Sequence, residues 1–387
     1  MSFPSRKAAI VGVYTSEQAR ALQRTVWSLE LECIKGALAD AGLSHEDVDG
    51  LIPMSFQAPV TVHMQWAEQL GGRPISFLSI GSGAGSAAKA ALAVASGMAS
   101  VVVVFFANAG FRLGPQGSSG QPGAPRVADM NHMIHGTYMS PWYAMWTRRY
   151  LHQYKARPEH LAEYSVIARH HATLNPASVM GGRGEITVDD VLGSRMIADP
   201  LHLLECPLDN DGGYAFVVAS EAVARDCRKK PIWILGGAEA IYTDFYQTIT
   251  PDWIGNERQA VRTSADQAFG MAGVSRDDID VAGLYDCYPI TVARDLEEMG
   301  FCAVGEGADY IHEGHLRLGG KMPANTDGGL LSNSHNGNPS GMQVIEVARQ
   351  LRGECGERQV PGAKIGCALS QGFAVHGLGA TLIMAAN

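Results

Sequence analysis

A tyrosine-rich motif follows an apolar run in the second half of the chain. Residues 285–288 read Tyr-Asp-Cys-Tyr, directly after the strand-like run 281–284. A tyrosine here can donate or take a proton if its pKa is lowered, or it can orient a substrate oxygen. An aromatic residue that closes the core at a strand end explains the same pattern. Tyr285 is therefore a candidate catalytic residue, with Asp286 and Cys287 as possible supporting groups.

The densest run of glycine and polar residues lies at 325–341, before a segment with helical periodicity. Glycines and polar side chains before a helix allow the backbone to approach a ligand. His335 is the residue of this run that titrates near neutral pH, so it is the second candidate for proton transfer. Asn336 is a possible supporting residue and Gly341 a possible substrate-binding one. A purely structural loop is the alternative.

A glycine turn lies earlier, between a predicted strand and a predicted helix. Residues 81–86 read Gly-Ser-Gly-Ala-Gly-Ser, and backbone N–H groups at such a turn can hold an anion or a developing oxyanion. A dinucleotide site would need Gly-x-Gly-x-x-Gly and an acidic residue after the next strand. This chain does not have that pattern, so close packing or a different ligand is favoured. We predict that Gly81, Ser82 and Gly83 bind substrate.

A second small-residue turn, 371–377, lies between two predicted strands near the end of the chain. We predict that Gly372 binds substrate. His376 is a possible supporting residue that faces either the site or solvent. The histidine pairs 132/135 and 170/171 lack acidic or sulfur partners nearby, so we predict no metal site.

Composition limits the class of protein. The 387 residues suffice for two domains or one duplicated unit, and a net charge of −9 without a dense Lys/Arg run argues against nucleic-acid binding. The longest apolar run, 101–106, is too short to span a bilayer. Seven cysteines without a Cys-x-x-Cys pair argue against a disulfide framework. Together with an N-terminus that lacks a signal-like apolar stretch, they predict a cytoplasmic protein.

A sequence repeat indicates the architecture that positions the candidate residues. Residues 37–51 and 268–282 share Ala-Gly-apolar-Ser and then Asp-apolar-Asp at one offset, which predicts a helix end, a turn and a strand in each copy. A second copy this far downstream indicates two similar halves rather than a short-period solenoid. We predict halves at 1–225 and 226–387, with an inserted loop and helical region at about 111–180.

Periodicity and turn residues predict the remaining elements. The run 75–80, a small-residue helix expected to be buried, and the run 101–106 form a strand–helix–strand unit, which predicts a parallel pair. The predicted strands are 8–13, 50–54, 75–80, 101–106, 217–220, 232–236, 281–284, 363–369 and 380–385. The predicted helices are 27–41, 87–96, 138–177, 258–272, 289–299 and 344–352.

Together these pieces resemble the thiolase superfamily over nearly the whole chain, most closely its lipid-transfer-protein or sterol-carrier-type branch. The resemblance implies an α/β fold of two similar halves in five layers, α-β-α-β-α, which matches the internal repeat. It also implies homodimers and acyl-CoA thioester substrates, with no cofactor bound by the chain. The motifs that carry it are the repeat, the turn and helix at 81–97, Cys-Pro-Leu-Asp-Asn-Asp-Gly-Gly at 206–213, Leu-Tyr-Asp at 284–286, Asn-Thr-Asp-Gly-Gly at 325–329 and the run 350–360.

One departure from the family pattern bears on function. Thiolases place a nucleophilic cysteine where the strand predicted at 75–80 meets the next helix, but this chain has no cysteine between Cys33 and Cys206. Acyl transfer through an enzyme thioester needs a thiolate, because a serine hydroxyl is far weaker without an adjacent base. A cysteine-lacking sub-branch resembles steroid side-chain aldolases, which cleave a β-hydroxyacyl-CoA by a retro-aldol reaction with a small zinc-ribbon/OB-fold partner.

The resemblance assigns proton transfer in that sub-branch to two tyrosines. One maps onto Tyr285, and the other falls in the loop after 328–329, where this chain has Ser-His-Asn at 334–336. A histidine there is also similar to the Gly-His motif of thiolases, so His335 is either a second acid/base or an oxyanion donor. We predict a retro-aldolase for a bulky β-hydroxyacyl-CoA. The alternatives are an acyltransferase with another nucleophile, such as Ser82, and a non-catalytic acyl-CoA or lipid carrier.

Overall fold

The computed structural model describes residues 4–53, 60–79, 81–109, 139–241, 260–333, 335, 340–372 and 377–386. The Gly-, Pro-, Ser- and Gln-rich segment 111–129, which begins the predicted insertion and is expected to be a long loop, lies outside these residues, as do Asn336 and His376. What we expect of them stays a prediction. Within these ranges we find no helix with the length and hydropathy of a transmembrane span.

The described residues form eleven strands and twelve α-helices. The strands are β1 (Ala8–Thr15), β2 (Gly50–Pro53), β3 (Phe77–Leu78), β4 (Val101–Asn108), β5 (Met196–Ala198), β6 (Leu201–His202), β7 (Gly212–Ser220), β8 (Ile232–Ile241), β9 (Val281–Gly283), β10 (Ile365–Gly372) and β11 (Leu378–Ala385). The helices are α1 (Val26–Ala41), α2 (Val60–Gln69), α3 (Gly83–Ala95), α4 (Met139–Tyr154), α5 (Pro158–Thr173), α6 (Val188–Gly193), α7 (Glu221–Asp226), α8 (Ala260–Ala272), α9 (Pro289–Met299), α10 (Gly307–His312), α11 (Gly329–Ser332) and α12 (Gly341–Arg352).

Nine of the described strands form one sheet, in the order β3-β2-β4-β7-β1-β8-β11-β10-β9. The order mirrors itself about the β1–β8 pair: β7 and β11 lie antiparallel to their neighbours, while β2 and β9 pair in parallel with β4 and β10. Next to β9, an isolated parallel bridge joins Ala282 to Ala324, at the place that β3 takes beside β2. The predicted duplication is therefore visible in the strand order.

The helices complete five layers. Helix α1 packs on β1, β4 and β7, and α8 packs on β8 and β11. Helices α3 and α12 contact each other. Both also contact strands from the two halves of the sheet, β3-β2-β4-β7-β1 and β8-β11-β10-β9, so the two helices lie between these halves. The sequence prediction of a five-layered α-β-α-β-α fold is confirmed. The boundary between residues 225 and 226 stays a prediction.

Both copies of the repeated phrase fold in the same way. Gly42 follows the last residue of α1 and Gly273 follows the last residue of α8, each with a left-handed φ (78° and 68°) that glycine adopts readily. In the turn that follows, Ser44 donates its N–H to the Asp47 carboxylate, and Ser275 donates to Asp278 in the same way. These turns lead into β2 and β9, as the repeat predicts.

The glycine-rich segment differs from the prediction. Helix α3 begins at Gly83 rather than at residue 87, so most of the predicted turn is helical. A Cβ atom at Gly83 would collide with the Ser340 carbonyl oxygen, and one at Gly85 would lie 2.7 Å from Ser82 Oγ. Glycine thus permits close packing at this helix start. The helix is central and almost entirely buried, as expected.

The predicted pair of strands around α3 also needs correction. Strands β3 and β4 are parallel, but each is hydrogen-bonded to β2, which lies between them. Strand–helix–strand connections fix direction and handedness, but they do not require the two strands to be neighbours.

The predicted helical region after residue 138 consists of two helices, α4 and α5. The side chains of Tyr143, Trp146 and Tyr150 on α4 are buried in the core. Helix α5 contacts α9, α10 and α11, so this part of the predicted insertion packs against elements that lead to the candidate site. That the region is an insertion stays a prediction.

Candidate active site

The two residues predicted to transfer protons are in contact. Tyr285 follows β9, and its hydroxyl lies 2.9 Å from Nε2 of His335. The tyrosine side chain is largely buried and the histidine is partly buried. Neither residue type nor spacing predicts this contact, which depends on the loop after α11 returning to the end of β9.

Burial determines the charge of His335. Loss of solvent lowers the pKa of its imidazole to about 4, so the ring is neutral near pH 7. Its backbone N–H donates to the Leu208 carbonyl oxygen at 2.8 Å, which ties the loop to the segment before β7. A neutral imidazole has one N–H donor and one acceptor nitrogen, so the ring can accept a proton from Tyr285 or donate one to it.

Asp286 lies behind this pair and holds the backbone. Its carboxylate is fully buried and accepts hydrogen bonds from the Leu330 N–H at 3.0 Å and the Tyr164 hydroxyl at 2.8 Å. Burial raises the pKa of the carboxyl to about 6. These contacts hold Asp286 against the start of α11 and against α5. A supporting role of Asp286 in catalysis stays a prediction.

Cys287 points into the core. Its side chain is buried, Sγ lies 3.9 Å from Thr291 Oγ1, and burial raises the pKa of the thiol. A protonated, inaccessible thiol is a poor nucleophile. The last residue of the motif, Tyr288, is also buried, with its hydroxyl 2.8 Å from Ser140 Oγ.

Ser82 stands immediately before α3 and is held by an acidic residue. Its hydroxyl donates to Glu239 Oε1 at 2.9 Å, and the same carboxylate forms an ion pair with Lys89. Glu239 lies near the end of β8, so this contact joins the two sheet halves. Sequence reasoning missed Glu239 and Lys89, because a single Glu in a strand and a single Lys in a helix give no local signal.

The first amides of α3 are engaged by hydroxyl groups from the second half of the chain. The Gly83 N–H donates to Ser340 Oγ at 3.0 Å, and the Ala84 N–H donates to Ser370 Oγ at 2.7 Å. An amide in a hydrogen bond of this kind is poorly suited to a substrate oxyanion. The substrate-binding role of Gly81 and Gly83 stays a prediction, and the Gly83 amide is the weaker candidate.

Comparison with known proteins identifies the family. A model described as Thiolase C-terminal domain-like matches residues 248–385. A steroid side-chain-cleaving aldolase of Thermomonospora curvata is 35% identical over 367 residues, which cover 91% of this chain and 92% of that protein. This chain belongs to the thiolase superfamily.

Two further relatives extend this thiolase-superfamily assignment. A 17-hydroxy-3-oxo-4-pregnene-20-carboxyl-CoA lyase of Mycobacterium tuberculosis is 35% identical, over 90% of this chain and 92% of its own. The solved structure of an Ltp2-ChsH2(DUF35) aldolase superposes with a TM-score of 0.87 at 33% identity, covering 100% of this chain and 99% of that one. The predicted resemblance to the aldolase-like members is confirmed.

In this member of the thiolase superfamily, Ser82 stands directly before α3, within the stretch 79–83 in which the resemblance places a nucleophilic cysteine. Gly341 begins α12, where a Cβ atom would collide with the Tyr214 ring, so the glycine serves close packing there. Gly372 ends β10, opposite Leu378. Substrate binding by Gly341 and Gly372 stays a prediction.

The described ranges of this thiolase-superfamily chain contain no cluster of three or more His, Cys, Asp or Glu side chains that could hold a metal ion. In the 170/171 pair, His170 contacts Glu185 at 2.9 Å, whereas His171 Nδ1 lies 3.2 Å from the Asn325 carbonyl oxygen. The two rings therefore face different partners. His132 and His135 lie outside the described residues.

Proposed function

We propose that this protein is a carbon–carbon lyase that cleaves a bulky β-hydroxyacyl-CoA, such as a steroid side-chain thioester, by a retro-aldol reaction. The observation that carries the proposal is the hydrogen bond between Tyr285 and His335, two proton-transfer groups in a chain that lacks the family's cysteine nucleophile. A retro-aldol cleavage needs acid–base groups and enolate stabilisation, but no covalent enzyme intermediate.

The reaction balances with these groups. The β-hydroxyl loses its proton to the Tyr285–His335 pair as the Cα–Cβ bond breaks, and Cβ becomes a ketone or aldehyde carbonyl. The bonding electrons pass to the thioester as an enolate, and a proton on Cα then gives the shortened acyl-CoA. Neutral His335 serves either as the second acid/base or as a hydrogen-bond donor to the enolate oxygen.

The relatives support this reaction class and substrate. Two proteins that are 35% identical over about nine-tenths of the chain are named as a steroid side-chain-cleaving aldolase and as a carboxyl-CoA lyase. The CoA thioester is the substrate in this proposal, and no further cofactor is needed for the chemistry.

The proposal includes a small partner protein. The similar solved aldolase is named with a second component, ChsH2(DUF35), which supports a partner protein for this chain. We propose that this partner is the small zinc-ribbon/OB-fold protein that the family resemblance implies. We further propose a homodimer and a cytoplasmic location. Light scattering of the purified protein, alone and with the partner, measures both assemblies.

The test is turnover of a steroid-type β-hydroxyacyl-CoA by the purified protein with its partner, followed by chromatography of the ketone and acyl-CoA products. Tyr285→Phe should abolish most of the cleavage, whereas Tyr288→Phe, a buried tyrosine of the same motif, should retain it. Undiminished cleavage by Tyr285→Phe would exclude the assigned role. Absence of products with every such thioester, with and without the partner, would exclude the lyase.

The second candidate function is acyl transfer through Ser82. The contact between the Ser82 hydroxyl and Glu239 favours it, because a carboxylate can act as an adjacent base. The attack would form an ester on Ser82 and release CoA as its thiol. Intact-protein mass spectrometry after incubation with an acyl-CoA distinguishes the two functions: an acyl adduct absent from Ser82→Ala supports transfer, and an unmodified wild-type protein supports the lyase.

A further inference from the structure

The peptide before Tyr285 is held by a side-chain amide. The Leu284 N–H donates to Asn325 Oδ1 at 2.8 Å, and Asn325 Nδ2 donates back to the Leu284 carbonyl oxygen at 3.0 Å. Asn325 adopts a left-handed backbone conformation (φ 50°), which asparagine tolerates better than most residues. This reciprocal pair extends the edge of β9 by one residue and fixes the backbone that carries Tyr285.

The residue after Tyr285 is held as well. Asp286 accepts the Leu330 N–H, and a Cβ atom at Gly329 would collide with its carboxylate. This contact binds the Tyr285 segment to the start of α11, the helix that precedes His335. Leu284 and Asp286, the residues on either side of Tyr285, are therefore both held by hydrogen bonds. The contact of Asp286 leads to α11, which precedes His335.

One hydroxyl joins these two sets of contacts. Tyr164 Oη donates to Asp286 Oδ2 at 2.8 Å and accepts from Asn325 Nδ2 at 2.7 Å. Its side chain is fully buried on α5, and burial together with the Asp286 charge raises its pKa well above the usual value, so it stays protonated. Tyr164 therefore contacts both groups that hold the backbone on either side of Tyr285.

We infer that Tyr164 is a positioning residue, which sets the alignment of Tyr285 with His335 by joining Asn325 to Asp286. The kinetic part of this inference rests on the proposed lyase function; the geometric part does not. Sequence reasoning missed Tyr164 because the residue lies on α5, far along the chain from the motif it supports.

The chain offers a matched control in Tyr150. This tyrosine is also fully buried, its hydroxyl donates to the buried carboxylate of Glu297 at 2.6 Å, and it accepts from the Ala308 N–H at 3.3 Å. Tyr150→Phe and Tyr164→Phe each remove one hydroxyl that bridges a buried carboxylate and an N–H donor. Their comparison separates a general loss of stability from a change at the site.

We expect Tyr164→Phe to lower kcat by about 10- to 100-fold, since small misplacements of reacting groups cost rates of this order, with KM changed less than about two-fold. The solvent deuterium isotope effect on kcat should rise, because proton transfer becomes slower. Tyr150→Phe should lower the melting temperature similarly but keep kcat and the isotope effect. Equal kcat for the two variants, or a wild-type kcat for Tyr164→Phe, would overturn the inference.

A readout without substrate keeps the positioning claim separate from the lyase. The ring ¹⁵N signals of His335, assigned by their absence in His335→Gln, report the contact with Tyr285. They should shift in Tyr285→Phe and in Tyr164→Phe, but not in Tyr150→Phe. If the His335 signals shift in Tyr164→Phe but the wild type shows no turnover, the positioning role stands and the lyase is rejected. Signals in Tyr164→Phe that match the wild type would reject the positioning role, whatever the activity.

Discussion

The Tyr285 hydroxyl lies 2.9 Å from Nε2 of His335, although 50 positions separate the two residues in sequence. Burial keeps the imidazole neutral, so His335 can accept a proton without first having to release one. Two residues joined by such a hydrogen bond are expected to act together, so the effects of substituting them should not be independent.

A double-mutant cycle tests this dependence. Tyr285→Phe and His335→Gln should each lower kcat by about 10²- to 10⁴-fold, the usual contribution of general acid–base catalysis. The double variant should be no slower than the slower single variant, because either change already disables the pair. Steady-state kinetics with a β-hydroxyacyl-CoA measures the cycle. Losses that multiply would show that the two groups act separately.

The ring of His335 should titrate far below an ordinary histidine. Its pKa is about 4 in the folded protein against a usual value of 6.5, so between these two values the unfolded chain binds a proton that the folded ring does not. Its contribution to stability is therefore present above pH 6.5 and falls as the pH is lowered toward 4.

Urea unfolding of the wild type and His335→Gln between pH 4 and 7.5 measures this contribution. As the pH falls, the wild type should lose unfolding free energy relative to His335→Gln. His171, whose pKa is also lowered to about 4 by burial, is unchanged in both proteins and cancels in the comparison. A difference that does not vary with pH, or an NMR titration of His335 near 6.5, would contradict the prediction.

Gly329 should not tolerate a side chain. Its φ of 62° is left-handed, and a Cβ atom would collide with the Asp286 carboxylate. Gly319 is also left-handed (φ 80°), but a Cβ atom there would meet no atom of the described residues within 4 Å. Gly319→Ala should cost about 1–2 kcal/mol of unfolding free energy from backbone conformation alone. Gly329→Ala should cost about 1–3 kcal/mol more from the collision.

Chemical unfolding measures both glycine variants, and kinetics gives a second readout. Gly329→Ala should also lower kcat, because Asp286 holds the Tyr285 segment, whereas Gly319→Ala should not. Equal destabilisation of the two variants would mean that the site relaxes around the added methyl group.

The start of α3 offers a similar comparison. Gly83→Ala should lower the unfolding free energy by about 1–3 kcal/mol, because its Cβ atom would collide with the Ser340 backbone. A Cβ atom at Gly270, inside α8, would have open space for 4 Å around it in the described part of the chain. Gly270→Ala should stabilise the protein by about 0.4–1 kcal/mol, through the lower entropy of the unfolded chain. Thermal unfolding distinguishes the two, and a neutral Gly83→Ala would contradict the close packing.

Local patterns predicted much of the fold. The duplicated phrase located two helix ends, two turns and two strands, and α9 begins and ends at the predicted residues 289 and 299. These features depend on short-range rules for glycine caps, turn residues and periodicity. The predicted start of α3 and the predicted pairing of β3 with β4 were wrong. Both features depend on contacts between residues distant in sequence: close packing of Gly83 against Ser340, and the position of β2 between β3 and β4.

The site divides in the same way. Tyr285 and His335 stood out by residue type, whereas their contact did not. Tyr164, Glu239 and Lys89 gave no signal, since each acts only through a partner that is distant in sequence. The tertiary structure supplies these partners, and no spacing rule along the chain contains them.

The hydroxyl groups of Ser340 and Ser370 accept hydrogen bonds from the first amides of α3, although the helix lies in the predicted first half and both serines lie in the predicted second half. A separated first half would leave these N–H donors without their hydroxyl partners, and a separated second half would lose the helix that its serines cap. We therefore expect the two predicted halves to unfold together rather than as independent units, because each supplies polar partners that the other lacks.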